Sequence, residues 1–465
     1  MQGKKIKALS LITSVSGIRG TIGGFPGDNL SPLDLLKFTA AYVRLLKLKS
    51  KRPKVVIGRD GRMSGEIVSQ FVCASLQSLG VDIIQTGLST TPTVEMAVPF
   101  HKADGGIILT ASHNPKNWNA LKLLNASGEF ISAEEGIQLL QWSQDTQVEY
   151  APVENLGHVE TDLFSIQRHV DSILNLPYIP VDAIRGKKFK IAADCINSTA
   201  ALALPLLLDA LSVEYVLLNK EINGDFAHDP EPLPQHLGEL MKLIGSHQFD
   251  LGVAVDPDVD RLALVDENGT YFGEEYTLVC AADFMMQIKP GNAVSNLSSS
   301  RALRDLCKSK NLGYFASPVG EVHVVKKMKE TNACIGGEGN GGIILPDLHY
   351  GRDSLVGIAL ILSNMCLQNK SLSQLRKSYP SYFMYKDKIK LDPDLKYPEL
   401  LNYLQNEYQN EQINFEDGMK IDFDESWIHL RKSNTEPIIR IYTEAKTAAE
   451  AEQLALRIKF KIDKF

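Results

Sequence analysis

The α/β character of this chain is decided by residues 53–87, "PKVVIGRDGRMSGEIVSQFVCASLQSLGVDIIQTG". The segments "PKVVIGRD" and "VDIIQTG" are short and rich in β-branched residues, which is typical of strands. Between them, "SGEIVSQFVCASLQSLG" has the length and the apolar spacing of a helix. A strand, a helix and a second strand in this order indicate an α/β fold.

The same plan recurs twice further along the chain, at residues 188–219 and 292–318. Each stretch has a strand-like run, a polar turn, a helical run and a second strand-like run. The three stretches have no obvious sequence identity, so we interpret them as structural repeats.

The last part of the chain, residues 377–465, has a different pattern. Four strand-like segments come first, and the amphipathic segment "AAEAEQLALRIKFKI" closes the chain as a helix. Strands followed by a helix, without the alternation seen earlier, predict a smaller α+β unit. The four strand-like segments are "YKDKIKL", "GMKIDFD", "SWIHLRKS" and "PIIRIYTEA".

A chain of 465 residues is too long for a single hydrophobic core. Changes in pattern near "YAPVENLGHVE", "VDENGTYFGEE" and "KSLSQLRKSYPS" suggest where the units meet. We therefore expect four domains, covering residues 1–158, 159–267, 268–376 and 377–465.

Composition narrows the class of protein. The formal net charge of -7 gives no electrostatic basis for binding nucleic acid, and no apolar run approaches the length of a membrane span. The 6 cysteines are scattered without a CxxC pair, which argues for free thiols in a reducing compartment and against a zinc site. These features predict a soluble cytoplasmic protein that binds neither nucleic acid nor membranes.

The first candidate site lies in "GGIILTASHNPKNWNALKLL", residues 105–124. An apolar strand ends in a polar turn with Ser112 and His113, and Lys122 follows on the next strand-like run. Turn and cap residues are the simpler interpretation of this stretch taken alone. The nearby imidazole and ammonium favour a chemical role for the Ser112 hydroxyl.

The second candidate site lies in "VAVDPDVDRLALV", where Asp256, Asp258 and Asp260 alternate and Arg261 follows. Three carboxylates this close repel each other unless a cation lies among them, and oxygen ligands favour a hard divalent ion such as Mg²⁺. An EF-hand loop is excluded because Arg261 occupies the position that needs glycine. A turn rich in N-cap residues remains the alternative.

The third candidate site is the glycine-rich segment "GGEGNGGII", residues 336–344. Its glycines let the backbone approach a ligand closely, and Glu338 and Asn340 offer hydrogen bonds to hydroxyl groups. The segment has neither the spacing of a dinucleotide fingerprint nor that of a P-loop. Alone, it is a weak signal.

The fourth candidate site is "LRKSNTEPIIR", residues 430–440. Hydroxyl groups, backbone N–H groups and guanidinium groups in this pattern suit a phosphate dianion bound without a metal. A polar hairpin turn is the alternative. The candidate phosphate ligands are Arg431, Ser433, Asn434, Thr435 and Arg440.

Taken in order, "TASHNP", "DPDVDR", "GGEGNGG" and "RKSNTEP" resemble the active-site loops of the α-D-phosphohexomutase superfamily. The N-terminal "SGIRG" and "IGRDGRMSG" are similar to its first domain, so the resemblance covers essentially the whole chain. It implies three mixed α/β domains and a smaller C-terminal α+β domain around a central cleft. It also implies an isomerase that moves phosphate between C6 and C1 of a hexose through a phosphoserine and a bisphosphorylated sugar.

The resemblance also implies a role for each candidate residue. Ser112 corresponds to the phosphoserine, and its oxygen joins Asp256, Asp258 and Asp260 as ligands of one Mg²⁺ per chain. The residues around the transferring phosphoryl group are Arg19, His113, Lys122 and Arg261. The sugar-binding residues are Glu338 and Asn340, and the distal phosphate is bound by Arg431, Ser433, Asn434, Thr435 and Arg440.

Within the superfamily, "GEGNGG" followed by "YGRDSL" is most similar to the archaeal-type phosphoglucosamine mutases. Glu321 points the same way, because glucose-type and mannose-type members often have histidine at this position. His323 is a possible replacement whose role stays open. The resemblance therefore implies conversion of glucosamine 6-phosphate to glucosamine 1-phosphate, with a sugar 1,6-bisphosphate as intermediate or activator.

Other functions remain as alternatives. A phosphomannomutase or phosphoglucomutase would use the same residues on another hexose phosphate. A metal-assisted sugar phosphatase would pass the phosphoryl group to water, and a non-catalytic sensor would only bind the sugar phosphate. We rank the last two lower, because a phosphatase needs no distal phosphate grip and a sensor needs no phosphoserine. The small-molecule partner is a hexose phosphate in each case, and we expect a monomer or a homodimer.

Overall fold

The computed structural model describes residues 10–14, 17–145, 147–246, 249–390, 396–432 and 438–465. The chain divides into two compact units, which we call the first unit and the second unit. The first unit comprises Met1–Thr277 and Asn340–Ser373, and the second comprises Leu278–Gly339 and Gln374–Phe465.

The first unit starts with a mixed sheet and its helices. The strands are β1 (Ile12–Ser14), β2 (Gly17–Thr21), β3 (Lys54–Arg59), β4 (Asp82–Leu88), β5 (Gly105–Leu109), β6 (Trp118–Leu124) and β7 (Val159–Thr161). The helices are α1 (Pro32–Lys47), α2 (Gly65–Ser78), α3 (Thr91–Phe100) and α4 (Ala133–Trp142), with a 3₁₀ turn at Val153–Asn155. The strand order is β1-β2-β6-β5-β3-β4-β7.

The central strands of this sheet are buried on both faces, which explains their apolar sequences. Alternate residues of β3 point to opposite sides: Val55 and Ile57 pack with α1 and α2, while Val56 packs with residues of α3. Side chains alternate in this way because successive Cβ atoms of a strand face opposite sides of the sheet. The result is a three-layer α/β/α arrangement with parallel pairing of β3 to β4 and β5.

Strands β5 and β6 bring two predicted site residues to one region of this sheet. They pair antiparallel, with Ile108 opposite Lys122 and Leu109 opposite Leu121. The connection between the two strands contains Ser112. The hairpin therefore places the hydroxyl and the ammonium group close together.

The second sheet of the first unit follows the same design. Its helices are α5 (Ser165–Leu174), α6 (Val181–Lys187), α7 (Ala200–Ala210) and α8 (Gly238–Ser246). Its strands are β8 (Lys190–Asp194), β9 (Glu214–Leu218), β10 (Leu251–Val255) and β11 (Leu262–Asp266), in the order β11-β10-β8-β9. β10 is parallel to β8 and antiparallel to β11, and the three aspartates lie in the tight connection between β10 and β11.

The next part of the chain contributes to both units. Its elements are α9 (Glu274–Ile288), β12 (Asn292–Asn296), α10 (Arg301–Ser309), β13 (Tyr314–Ser317), α11 (Glu321–Thr331), β14 (Ala333–Glu338), β15 (Gly342–Ile344), α12 (Ser354–Gln368) and α13 (Leu372–Ser378). In the second unit, β12 lies between β13 and β14 and is parallel to both. In the first unit, α12 is buried from Ser354 to Met365.

The C-terminal part of the second unit is an antiparallel sheet with helices. Its elements are β16 (Phe383–Lys390), α14 (Tyr397–Glu407), β17 (Gln412–Asn414), β18 (Met419–Asp422), β19 (Trp427–Lys432), β20 (Ile438–Ala445) and α15 (Ala448–Lys464). The strand order is β16-β20-β19-β18-β17. Leu430 and Ile439 of the sheet pack in one core with Ala455 and Ile458 of α15.

Three α/β sheets and an antiparallel sheet in a smaller C-terminal domain confirm the predicted fold class. The boundaries of the four expected domains stay predictions. Within the described residues, no single helix has both the length and the apolarity to cross a membrane. One bent pair, α12 with α13, meets those criteria by length and composition only.

Candidate active site

Ser112 lies in a constrained turn after β5. Its φ is 49°, a left-handed conformation that costs energy for a residue with a side chain and often marks a functional position. Its N–H donates to Thr110 Oγ1 at 2.9 Å, and its hydroxyl donates to Asp256 Oδ2 at 2.7 Å. His113 Nδ1 lies 3.3 Å from the same hydroxyl oxygen. The structure therefore places the predicted nucleophile against a predicted metal ligand and an imidazole.

Arg62 holds this turn in place. Its guanidinium group is fully buried and is fixed by Asp60, whose Oδ2 accepts from Nε at 2.9 Å. The remaining nitrogens point to backbone carbonyl groups of the turn, so one side chain ties several peptide groups together. The accepting carbonyl groups belong to Ser112, Asn114, Pro115 and Trp118.

Asp256, Asp258 and Asp260 form a fully buried cluster, which we call the aspartate triad. One carboxylate oxygen of each lies within 4.8 Å of the others. The N–H groups of Asp260 and Arg261 donate to Asp256 Oδ1 at 3.1 and 3.0 Å, which fixes that carboxylate. Val259 has a φ of 63°, so the loop turns sharply between the second and third aspartates.

Besides the Ser112 hydroxyl, two cations and a second hydroxyl group contact the triad. Lys122 Nζ lies 2.7 Å from Asp258 Oδ2 and 3.2 Å from Asp260 Oδ2. An Arg352 nitrogen lies 2.7 Å from Asp260 Oδ2, and Thr91 Oγ1 donates to Asp258 Oδ2 at 2.6 Å. The buried charges are thus partly balanced by residues distant in sequence.

The balance differs between the carboxylates. Burial raises the pKa of Asp256 well above its usual range, and the neighbouring charges of Asp260 and Asp258 raise it further. For Asp260, burial also raises the pKa, but Arg352 and Lys122 outweigh it and hold the pKa well below its usual range. A further positive charge at the triad would therefore favour the ionised form of Asp256.

The triad fits a divalent ion. Asp258 Oδ1 and Asp260 Oδ1 are buried without a hydrogen-bond partner, although buried polar atoms are normally paired. All the ligand atoms on offer are oxygens, which suits a hard cation such as Mg²⁺. The side chains that would hold the ion are Asp256, Asp258, Asp260 and Ser112.

The other basic residues predicted for this site gather around it. Burial lowers the pKa of Arg19, as do the positive charges of Arg261 and Arg352. Burial also lowers the pKa of His113 well below its usual range, and Arg261 adds to the effect. Arg261 forms an ion pair with Glu231 at 3.2 Å. The region beside Ser112 is therefore positive, and the His113 ring is neutral.

The predicted sugar-binding residues are held by hydrogen bonds. In the second unit, Glu338 is 5% exposed, and its Oε1 accepts from Asn296 Nδ2 at 3.0 Å and from Gly320 N at 3.1 Å. In the first unit, Asn340 Oδ1 accepts from Gly342 N at 3.2 Å. Both side chains are thus positioned before any sugar binds.

The residues singled out near the start of α11 differ in exposure. Glu321 is buried at the first position of the helix, whereas His323 is exposed. A buried carboxylate near Gly320, whose N–H contacts Glu338, makes this part of the second unit acidic.

The predicted phosphate loop is only partly described. Arg431 in β19 and Arg440 in β20 are directly opposite each other, so their side chains share one face of the sheet. Asp417 Oδ2 lies 2.7 Å from Arg431 Nε. The other predicted ligands of this loop, Ser433, Asn434 and Thr435, lie outside the described residues.

Sequence reasoning missed several residues that build the site. Arg62 and Arg352 stand in "IGRDGRMSG" and "YGRDSL", two segments that carry the resemblance to the superfamily, but neither arginine was predicted as a site residue. Thr91, Glu231 and Asp417 gave none, because isolated polar residues are common in loops and at helix ends.

Comparisons with known proteins agree with this geometry. Residues 11–145, 167–269 and 272–382 match the phosphoglucomutase/phosphomannomutase alpha/beta/alpha domains I, II and III, and residues 388–459 match the C-terminal domain. A phosphoglucomutase/phosphomannomutase of Thermococcus kodakarensis is 34% identical over 448 residues, which cover 95% of this chain and 97% of the relative. The chain belongs to the phosphoglucomutase/phosphomannomutase family. It is an isomerase of the phosphohexomutase class.

Other members of the family extend the comparison. A probable phosphoglucosamine mutase of Methanopyrus kandleri is 30% identical over 443 residues, which cover 94% of this chain and 95% of the relative. The crystal structure of a putative phosphomannomutase of Thermus thermophilus has a TM-score of 0.82 at 23% identity, covering 98% of this chain and 100% of that one. The structural likeness shows that the fold is shared.

Proposed function

We propose that this phosphohexomutase converts glucosamine 6-phosphate to glucosamine 1-phosphate through a phosphorylated Ser112 and a bisphosphorylated sugar. The observation that carries the proposal is the 2.7 Å contact between Ser112 Oγ and Asp256 inside a buried aspartate triad. A hydroxyl at the edge of a metal-type site is what transfer to and from serine requires.

The reaction has two balanced halves. In the first, the C1 hydroxyl attacks phosphoserine, the Oγ–P bond breaks and the sugar O–P bond forms. In the second, Ser112 Oγ attacks the C6 phosphate and releases the C6 hydroxyl, so the enzyme regains its phosphoryl group. Each half moves one proton from the attacking hydroxyl to the leaving oxygen. No external phosphate donor is consumed.

The residues around Ser112 supply positioning and charge. His113 Nδ1 lies 3.3 Å from Ser112 Oγ, close enough to exchange a proton with that oxygen. Lys122, Arg19 and Arg261 provide positive charge for the equatorial phosphoryl oxygens. Mg²⁺, when bound, would neutralise charge on the same oxygens.

In this proposal, the second unit supplies the residues that bind the phosphate that is not reacting. Arg431 and Arg440 lie opposite each other on neighbouring strands, and two guanidinium groups on one face of a sheet suit a phosphate dianion. On the strength of the family motifs, we assign them to the phosphate that is not reacting, with Ser433, Asn434 and Thr435. A mutase needs this grip because its bisphosphorylated intermediate must present each end in turn.

An amino group at C2 is the substrate feature that the acidic residues favour. Glu321 and Glu338 place carboxylates in the proposed sugar-binding part of the second unit. A charge-assisted hydrogen bond contributes roughly 1.5–3 kcal/mol, which corresponds to about ten- to hundredfold discrimination. Relatives named for glucosamine and for glucose or mannose both match the chain, so glucose and mannose phosphates are the competing substrates.

The phosphoserine is tested by incubating the protein with a hexose 1,6-bisphosphate and mapping phosphopeptides by mass spectrometry. We expect one phosphoryl group on Ser112 and loss of turnover in Ser112→Ala. Ser127→Ala, in the exposed turn after β6, is the matched control and should keep full activity. Stable phosphorylation elsewhere, with an active Ser112→Ala, rules the assignment out.

The substrate is tested by comparing kcat/KM for the 6-phosphates of glucosamine, glucose and mannose. We expect glucosamine phosphate to be preferred and a hexose 1,6-bisphosphate to activate the enzyme. A clear preference for glucose or mannose phosphate contradicts the amino sugar but not the mutase. Release of inorganic phosphate at the rate of substrate loss would instead indicate a phosphatase. We place the enzyme in the cytoplasm, as a monomer or homodimer.

A further inference from the structure

A buried charged cluster in the first unit is not used by the reaction described above. Glu95 lies on α3, His169 on α5, and His349 and Asp353 lie on either side of the segment that leads into α12. Their side chains are 1%, 0%, 10% and 0% exposed, respectively. Four ionisable groups removed from water in one place require mutual compensation.

The contacts within the cluster form a continuous chain. His349 Nδ1 lies 3.3 Å from Glu95 Oε2, and His349 Nε2 lies 3.5 Å from Asp353 Oδ2. His169 Nε2 lies 2.9 Å from the same Asp353 oxygen, and His169 Nδ1 lies 2.9 Å from Thr93 Oγ1. His349 is the basic group that lies between the two carboxylates.

One end of the chain continues to the aspartate triad through α3. Thr91 lies one helical turn before Glu95 on the same helix, so the two move together. The N–H of Thr91 donates to the backbone oxygen of Asp258 at 2.9 Å, and its hydroxyl donates to Asp258 Oδ2 at 2.6 Å. Holding Glu95 in place therefore also holds Thr91, which makes two hydrogen bonds to Asp258.

The other end continues to the triad through the residues that flank Asp353. Arg352 precedes it and contacts Asp260 Oδ2 at 2.7 Å. Ser354 follows it and donates its N–H to the backbone oxygen of Val259 at 3.2 Å. Both contacts hold the loop that carries the triad. They are made to the two residues that follow Asp258, whereas Thr91 contacts Asp258 itself.

Asp353 joins these parts rigidly. Its Oδ1 accepts from the N–H groups of Leu355 and Val356 and so caps α12, which leaves Oδ2 for the two imidazoles. Gly351 shows how closely the segment approaches α3. A Cβ atom at this position would lie 1.8 Å from Glu95 Oε2, so a larger residue cannot be accommodated without displacing the cluster.

We propose that Glu95, His169, His349 and Asp353 form a positioning network that holds Thr91 and Arg352 against the carboxylates of the aspartate triad. The proposal rests on the proposed function, because it concerns the geometry of the same metal-type site. The network acts through Thr91 and Arg352 and does not itself touch the substrate. Loss of the network should loosen Asp258 and Asp260 and weaken binding of the divalent ion.

A transition metal is the competing occupant, since two histidines and a carboxylate are typical ligands. We favour the protonated network because every ring nitrogen of both histidines already faces an oxygen within 3.5 Å. The 2.9 Å distance between His169 Nε2 and Asp353 Oδ2 is that of an ordinary hydrogen bond, so no metal ion between them is needed to explain it.

The test is His349→Gln, which removes the charge and keeps a polar side chain of similar size. We expect the Mg²⁺ affinity, measured by calorimetry without substrate, to fall on the order of tenfold. A loss of this size is typical when a residue that supports a metal ligand is changed. kcat should fall in parallel while KM for the hexose phosphate is unchanged. In an Arg352→Lys background the same change should have less effect, because the network acts through Arg352.

His158→Gln, an exposed histidine of the first unit, is the matched control and should leave both quantities unchanged. Glu95→Gln keeps the shape of the network and removes one charge, so it carries the test if His349→Gln does not fold. Folded variants with unaltered Mg²⁺ affinity and kcat overturn the proposal, as does a stoichiometric transition metal in wild-type protein dialysed against EDTA. The calorimetric result stands even if no mutase activity is found, so failure of the network and failure of the proposed function are distinguishable.

Discussion

At the scale of single residues, the two oxygens of Asp258 have separate roles. Oδ2 is occupied by Lys122 and Thr91, whereas Oδ1 is buried and has no hydrogen-bond partner. The first oxygen therefore fixes the orientation of the carboxylate. The second is available to a divalent ion. A change that keeps the shape of the side chain but removes its charge separates these roles.

Asp258→Asn should lower Mg²⁺ affinity by at least about tenfold, because a neutral amide neither attracts the ion nor balances Lys122 as a carboxylate does. Calorimetric titration with Mg²⁺ measures the change. Asp266→Asn is the control, since Asp266 Oδ1 only accepts from Asn268 and Thr270 in a turn. Unchanged affinity in Asp258→Asn would exclude the triad as the metal site.

Arg62, in contrast to Asp258, is a residue whose shape matters more than its charge. Arg62→Lys should lower kcat roughly tenfold, because an ammonium group has only three donors and cannot hold the carbonyl groups of the Ser112 turn and Asp60 together. Steady-state kinetics and the extent of Ser112 phosphorylation measure the effect. The control is Arg52→Lys, in an exposed pair with Asp82. Equal activity of the two variants would mean that the turn holds its shape without Arg62.

At the scale of elements, local pattern predicted the strands and the turns, but it did not predict their partners. The apolar runs of β3, β5 and β10 identify strands, and the polar residues that follow them identify the loops of the site. The partners are distant in sequence: Ser112 and Asp256 are 144 residues apart, and Lys122 and Asp258 are 136 apart. Nothing in a local window specifies such pairs. Thr91 was missed for this reason.

The junction of α3, α5 and α12 also predicts a pH dependence of stability. Burial lowers the pKa of His349, but hydrogen bonds to Asp353 and Glu95 outweigh burial and raise it from 6.5 to about 10. His169 and Arg352 are the other ionisable groups nearby. Because the folded pKa exceeds the unfolded one, the stabilisation is complete below about pH 6.5 and is lost as pH rises through about 10.

The stability advantage of wild type over His349→Gln should therefore shrink between pH 7 and pH 10. Urea unfolding of both proteins across this range measures the difference in the free energy of unfolding. His158→Gln, at an exposed position of the first unit, is the control. A difference that does not change with pH would show that His349 carries no extra proton in the folded protein.

At the scale of the whole molecule, similarity along the chain establishes the reaction class but does not select the sugar. Relatives named for different hexose phosphates match nearly the full chain at comparable identity. In the proposed mechanism, Ser112, the aspartate triad and the basic residues act on the phosphoryl group, which all these substrates share. Only the few groups that meet the C2 substituent distinguish an amine from a hydroxyl, and Glu321 and Glu338 are the candidates.

The buried triad also makes a prediction about the stability of the protein. An ion that binds only the folded state stabilises it by RT ln(1 + [L]/Kd), or about 2.7 kcal/mol at a hundredfold excess over Kd. Mg²⁺ should therefore raise the melting temperature of the first unit, which contains all three aspartates. Thermal unfolding at increasing concentrations of MgCl₂ measures this shift. Asp258→Asn should lose most of this shift, and the same ionic strength of NaCl should not reproduce it, because surface screening is not specific. An equal shift in wild type and variant, or an equal shift with NaCl, would mean that Mg²⁺ acts elsewhere on the protein than at the triad.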